Sequence, residues 1–274
     1  PCGIWSVLPG AAGKSLGMIK EKTGMRIIIS PAKKMNVDRD SFAVDGMPCF
    51  LTDTKILMRE VQKLSFEEAK ALWKCNDKLA ELNFRRFANM DLEKCLTPAL
   101  VAYEGLQYQH MAPGVFTEGA LAYVEEHLRI LSGFYGVLRP FDGVTPYRLE
   151  MQARLPVGEK KDLYGFWGSR IYRELMEGNE DRVILNLASK EYSCAVEPYV
   201  EPSCRFITVS FEEEVDGKRK QKGTFAKMAR GEMVRFLAEN RVEEPEGIKA
   251  FDAMGYRYRE ELSDDGKFVF VKST

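Results

Sequence analysis

The sequence is short of the residues that build the commonest metal and redox sites. It has two histidines, His110 and His127, which stand apart, and six cysteines, Cys2, Cys49, Cys75, Cys95, Cys194 and Cys204, without a CxxC pair. Zinc sites draw on clustered Cys and His, so no metal and no cofactor is expected. A chain of 274 residues needs no disulfide staples, and the thiols read as small buried hydrophobes in a cytoplasmic protein. No apolar run approaches the roughly 18 residues of a membrane-spanning helix, so no membrane partner is expected. A formal net charge of -1 argues against a uniformly basic nucleic-acid coat while leaving room for a local basic face. HExxH and GxSxG are absent, which removes the commonest hydrolase mechanisms. GAAGKS near the start imitates a phosphate-binding loop, but Leu8 stands where that motif requires its first glycine.

Residues 1–24 lack a basic and apolar signal pattern and read as a flexible N-terminal extension or leader. From Met25 the chain alternates strand and helix signals. MRIIIS, ALVAY near 100, RVILNLAS near 185 and RFITVSF near 208 read as strands, and VDGK at 215 and DDGK at 264 as hairpin turns. Ser65 and Glu68 form a capping box, after which Leu72, Cys75, Leu79 and Leu82 make a helical stripe. Leu121, Val124, Leu128 and Leu131 do the same for a later helix. With no Ser/Gly/Pro-rich linker after Met25, the expected fold is α/β (mixed α+β): one compact domain over 25–274, a mixed sheet with surrounding helices.

Charge is segregated along this domain. Between Arg129 and Arg173 eight Lys or Arg stand against four acids, and between Gly217 and Arg241 eight against two. Such segments are either solvated faces or two walls of a cleft for a polyanion. In the helix FAKMARGEMVRFLAENR, Phe225, Ala229, Met233, Phe236 and Leu237 face the core, with Lys227, Arg230 and Arg241 roughly opposite and Arg235 at the boundary. The run LSGFYGVLRPFDGVTPYRLEM, residues 131–151, admits two readings. In one, Gly133 and Gly136 form a helix-hairpin-helix-like element whose backbone amides approach DNA phosphates, with Arg139, Arg148 and Arg154 following. In the other, the run is a packed corner in which Phe134 and Tyr135 are buried.

ISPAKK, HLRILSGFYGVLRPFDGVTPYRLEM, KDLYGFWG at 161–168, NLASKEY at 186–192 and FAKMARGEMVRFLAENR together resemble the YaaA family of peroxide-stress-resistance proteins. The resemblance runs from about Met25 to the C-terminus. It implies a cytoplasmic bacterial protein of the hydrogen peroxide response that limits iron-linked damage. It also implies a positively charged cleft and a helix-hairpin-helix-like element binding duplex or structured DNA with little sequence preference. By motif, the implied cleft residues are Lys33, Arg129, Arg139, Arg148, Lys161, Lys227 and Arg230, and the hairpin and basic segments add Lys34, Gly133, Gly136, Arg154 and Arg235 as expected DNA-binding residues. Met228 occupies a place that can be basic in this family.

The same segments read alternatively as an enzyme that processes nucleotides or nucleic acid, and no catalytic residue is assigned at this level. A strand ending in Ser30 ahead of Lys33 and Lys34 suits a phosphate, and Glu150 and Glu191 suit proton transfer if the fold brings them together. Asn186, Ser189, Tyr192 and Trp167 read as hydrogen-bonded structural residues or as members of that site. Sequestration of iron by the protein itself has no visible ligand set.

Overall fold

MRIII forms β1 (Met25–Ile29), in which every residue is buried. A strand covered on both faces must be apolar on both, and this one lies inside an eight-stranded sheet. The computed structural model describes residues 25–215 and 218–272, so the expectation for 1–24 lies outside the described residues. From β1 the chain runs through β2 (Lys34–Met35), α1 (Leu51–Gln62), α2 (Phe66–Trp73), α3 (Asp77–Ala88), β3 (Thr97–Pro98), α4 (Ala99–Ala102) and β4 (Tyr103–Glu104). Next come α5 (Leu106–Met111), α6 (Glu118–His127), β5 (Leu128–Ser132), β6 (Gly136–Leu138), β7 (Gly143–Val144), α7 (Leu163–Trp167), α8 (Arg170–Met176) and β8 (Val183–Asn186). The rest is α9 (Lys190–Ser193), β9 (Arg205–Val215), β10 (Lys218–Lys220), α10 (Gly223–Asn240), β11 (Tyr256–Tyr258) and β12 (Lys267–Lys272).

The sheet order is β11-β12-β9-β8-β1-β5-β6, with β10 beside β9. β5, β1, β8, β9 and β12 run parallel, and β6, β10 and β11 are antiparallel additions. The chain therefore builds outward from β1 to β5 and β6 on one side, then returns to lay β8, β9 and β12 on the other. The order reverses between β1 and β8, which pair from Met25↔Val183 to Ile28↔Asn186. In open α/β sheets, the crevice outside the carboxyl ends of the strands at such a reversal is where ligands bind. One continuous apolar core backs the sheet, with Ile27, Ile28, Leu185, Ile207, Val269 and the helix residues Leu57, Val124 and Leu237 fully buried in it.

The expected strands at 25, 185 and 208 form, as does the capping box, whose Ser65 N–H donates to Glu68 Oε2 at 2.8 Å. β9 and β10 pair as the 215 turn predicts, the turn residues themselves lying outside the described ones. At 264 the turn closes a local bridge between Asp264 and Lys267, while β12 finds its antiparallel partner further back in β11.

Four expectations are corrected. Ala99–Ala102 of ALVAY is a short helix; its apolar residues meet burial from all sides, and periodicity cannot tell a buried helix turn from a strand. The stripe Leu72–Leu82 is broken at Lys74, which adopts a left-handed conformation (φ 46°) between α2 and α3. There Ala69, Trp73, Ala80 and Phe87 go inward while Leu79 and Leu82 stay exposed. The helix through Leu121 and Val124 stops at His127, and Leu128 and Leu131 belong to β5 beside β1. No helix-hairpin-helix forms over 118–138, because Ser132↔Gly136 closes a strand–turn–strand hairpin. LSGFYG is instead a packed corner: Phe134 and Tyr135 are fully buried, and their amides donate to Ser132 Oγ at 3.2 and 2.9 Å.

Candidate functional site

At the β1/β8 reversal the two chain segments leaving the strands are tied together. Ser30 follows β1 and Ser189 follows β8. The Ser189 N–H donates to Ser30 Oγ at 2.8 Å, and the two hydroxyls lie 3.2 Å apart. The Ser30 carbonyl accepts from the Tyr108 hydroxyl at 3.0 Å, which fixes α5 against the strand end. Behind Ser189, Asn186 turns the chain by accepting from the Ala188 N–H at 2.9 Å.

Above this floor opens a pocket of about 380 Å³, walled by α5, by α10, by 147–150 and by Glu191 and Tyr192. Tyr108, Tyr147 and Tyr192 line it together with Pro31, Ala32, Leu106 and Leu149. Burial pushes the Tyr147 hydroxyl up to about 12 and raises Tyr108 and Tyr192 as well, so all three stay protonated. The Tyr147 hydroxyl also joins Tyr103 at 2.9 Å and Ser132 at 2.7 Å, which locks its ring in place. The wall opposite depends on Gly231. A Cβ there would lie 2.1 Å from the Gln107 carbonyl, so only glycine lets α10 approach α5 so closely.

Charge is concentrated around the mouth. Glu150 is held by two cations, Lys33 Nζ at 2.9 Å and Arg148 Nη2 at 3.2 Å, and Lys34 pairs with Glu104 at 2.7 Å on the rim. Glu191 is different: burial chiefly, and then the Glu150 carboxylate, raise it above the ordinary carboxylate range against the pull of Lys33. The raised carboxyl of Glu191 thus sits near the doubly ion-paired Glu150. Lys227 and Arg230, one turn apart on α10, line the same pocket, and among the described residues neither has an ion-pair partner. Desolvation lowers Arg230 to about 10.

Of the residues singled out in the sequence, the fold brings Lys33, Lys34, Arg148, Lys227 and Arg230 into this pocket, together with Ser30, Glu150, Ser189, Glu191 and Tyr192. The others lie elsewhere. Arg129 is buried in β5 with Nη1 donating to the carbonyls of Glu125, Glu126 and Leu128. Gly133 and Gly136 are sealed in the corner, where added Cβ atoms would lie 2.6 Å from the Leu149 carbonyl and 2.9 Å from Phe50 and Trp167. No phosphate reaches their amides. Arg139, Arg154 and Lys161 are exposed away from the pocket lining, and Arg235 pairs with Glu239 at 2.8 Å. Trp167 is structural, donating to the Gly133 carbonyl at 3.0 Å. Sequence reasoning missed Gln107, Tyr108 and Tyr147, which lie in no periodic pattern and meet only through tertiary packing.

The titratable groups outside the pocket are engaged otherwise. His127 Nδ1 donates to the Met25 carbonyl at 2.8 Å, and His110 pairs with Glu232 at 2.8 Å. Among the described residues no three His, Cys, Asp or Glu side chains gather as a metal-ligating group, and no helix is long and apolar enough to cross a membrane. Against the expectation of buried thiols, Cys49 and Cys95 are exposed and, among the described cysteines, only Cys204 is buried; the Cys49 sulfur, 3.9 Å from the Val137 carbonyl, is still pushed up to about 12 by local desolvation and by the Glu174 and Asp142 carboxylates.

Comparison with known proteins places this arrangement in a family. The chain is 54% identical over 248 residues to a UPF0246 protein of Agathobacter rectalis, covering 90% of this chain and 99% of that one. It is 52% identical over 249 residues to a UPF0246 protein of Pediococcus pentosaceus, covering 91% and 98%. The sequence profile described as peroxide stress protein YaaA matches residues 25–262, from β1 to just before the 264 turn, and so takes in every wall of the pocket. The chain belongs to the YaaA family of peroxide stress proteins.

Proposed function

We propose that the protein serves the peroxide stress response by holding a phosphate-bearing nucleotide in this pocket, and that it engages DNA through such a unit with little sequence preference. The observation that carries the reading is the joining of five cationic side chains, three carboxylates and three tyrosines in one pocket at the sheet's reversal point. Tyrosine rings offer any base a face to stack on. Lys33, Lys34, Arg148, Lys227 and Arg230 suit phosphate oxygens. Glu191, raised by burial beside the ion-paired Glu150, suits proton transfer, which favours a processing reaction over simple storage. A broad duplex-binding cleft draws less support, since Arg139, Arg154 and Lys161 are off the pocket and Arg129 is inside the fold.

Salt dependence tests this reading. A pocket neutralising one or two phosphates of a single strand gives a slope of log K against log salt of roughly -0.7 to -1.4, whereas a six-phosphate duplex cleft gives about -5. Anisotropy titrations of short single strands and duplexes across a salt series distinguish the two. A steep slope on duplex, left unchanged by Lys33→Ala and Arg148→Ala, would remove the pocket from the account.

A further inference from the structure

Arg230 lies between two cavities. Besides the tyrosine pocket it lines a second hollow of about 770 Å³, and Ser189 and Lys227 are common to both, so the two adjoin at these three residues. The linings differ. The second hollow has no tyrosine; Asn186, Ser193, Thr208, Ser210, Gln221 and Lys267 line it together with Phe206 and Val209.

At the boundary two polar groups stand unanswered. Arg230 Nε is shielded from solvent without a hydrogen-bond partner, and so is the amide Nε2 of Gln107, a residue only 7% exposed on the tyrosine-pocket wall. Shielding a guanidinium and an amide donor without partners costs stability. The close contact at Gly231 holds both in place, since it clamps α10, which carries Arg230, directly onto the backbone of Gln107. Lys227 and Arg230, without ion-pair partners among the described residues and both on the wall that the two hollows share, describe an anionic acceptor with a group on either side of it.

Resting on the nucleotide reading above, we propose that the ligand is a phosphate-linked dinucleotide unit. Its bridging phosphate lies on Arg230 and Lys227, one base stacks in the tyrosine pocket, and the next sugar and base occupy the second hollow. A free dinucleotide and the end of a nucleic-acid strand share this chemistry.

Calorimetric titration of the whole protein with a nucleoside monophosphate, a phosphodiester-linked dinucleotide and a short single-stranded oligonucleotide tests the proposal. The dinucleotide is expected to bind roughly ten- to a hundredfold tighter than the monophosphate, the worth of charge-assisted hydrogen bonds gained at the bridge. Gln221→Trp, which fills the second hollow from its exposed rim, and Arg230→Met should each bring the dinucleotide down to the monophosphate's affinity. Arg230→Met should also raise Tm by a few degrees, because it relieves a desolvated charge; a merely structural arginine would lower it. An oligonucleotide that matches the dinucleotide points to a strand end as the source, and one that binds more weakly points to the free dinucleotide. Equal affinity for monophosphate and dinucleotide, unmoved by Gln221→Trp, would overturn the two-cavity ligand and leave the pocket reading standing. Failure of all three ligands to bind would overturn both.

Discussion

The Ser189 amide donates to the Ser30 hydroxyl at 2.8 Å, and this one hydrogen bond joins the two strand ends between which the sheet changes direction. Ser30 is 9% exposed. Ser30→Ala strands the Ser189 amide and is expected to destabilise the protein by about 1–3 kcal/mol. Urea unfolding monitored by tryptophan fluorescence measures it. A loss below the error of that experiment would mean that the bond does not organise the pocket floor.

Glu191 titrates above the ordinary carboxylate range, and Glu150 is part of the reason. Glu150→Gln removes a like charge and releases Lys33 from its ion pair at 2.9 Å, and both changes favour ionised Glu191. Carbon-detected NMR titration of the glutamate carboxyls should therefore show Glu191 moving down in the variant. An upward shift would contradict the pairing.

Asp142 offers a pH test of stability. Burial raises its carboxyl to about 6, against the Arg139 backbone N–H that donates to it at 2.7 Å. The folded state therefore holds this proton more tightly than the unfolded chain does. Its contribution is greatest below about pH 4 and falls away as pH rises through 6, by up to roughly 3 kcal/mol. Asp142→Asn should flatten this part of the stability profile between pH 4 and 7. Parallel profiles for variant and wild type would refute the assignment.

The packed corner makes its own prediction. Phe134 is fully buried against Phe87, Tyr135 and Tyr147, with ring centroids 4.9–5.5 Å away. Phe134→Ala should cost about 3–5 kcal/mol, whereas Arg139→Ala, at an exposed position, should leave the thermal melt nearly unchanged. Circular dichroism melts of both variants decide it.

Peroxide is not expected to act through Cys49. With its thiol pushed up to about 12, little of the reactive thiolate exists near neutral pH. Mass spectrometry after mild peroxide treatment should find Cys49 unmodified, and stoichiometric oxidation there would reverse this conclusion.

The parts of the fold legible in the sequence are those fixed by local pattern. β1, β8 and β9 are dense β-branched runs, the Ser65 capping box is a contiguous signal, and Ala229, Met233 and Leu237 of the α10 stripe go inward, though Phe225 and Phe236 are only partly buried and Arg230, expected opposite, is desolvated. The stripe from Leu72 to Leu82 misled because a single left-handed residue, Lys74, resets the helical phase, and a lysine gives no warning of that. Gly133 and Gly136 misled because a glycine that admits a phosphate and one that admits a neighbouring backbone look alike in sequence. Glu150 and Glu191 could be named from their motifs. Their unequal character could not, since it arises from Lys33 and Arg148 meeting one of them and burial falling on the other.

The reversal of strand order also governs how the molecule is made. β1 emerges first, yet its parallel partners are β5, whose pairing joins Ile27 to Leu128, and β8, which joins Met25 to Val183. At ordinary rates of protein synthesis, of about 5–20 residues per second, the second of these partners follows roughly 8–30 s after β1. Through that interval the apolar strand MRIII has at least one open edge, the kind of segment that pairs wrongly with other chains. The pocket comes later still, because Lys227, Arg230 and Gly231 are in α10. A nascent or truncated chain that stops before α10 lacks one wall of the site, so ligand can protect the finished protein but cannot guide its early folding.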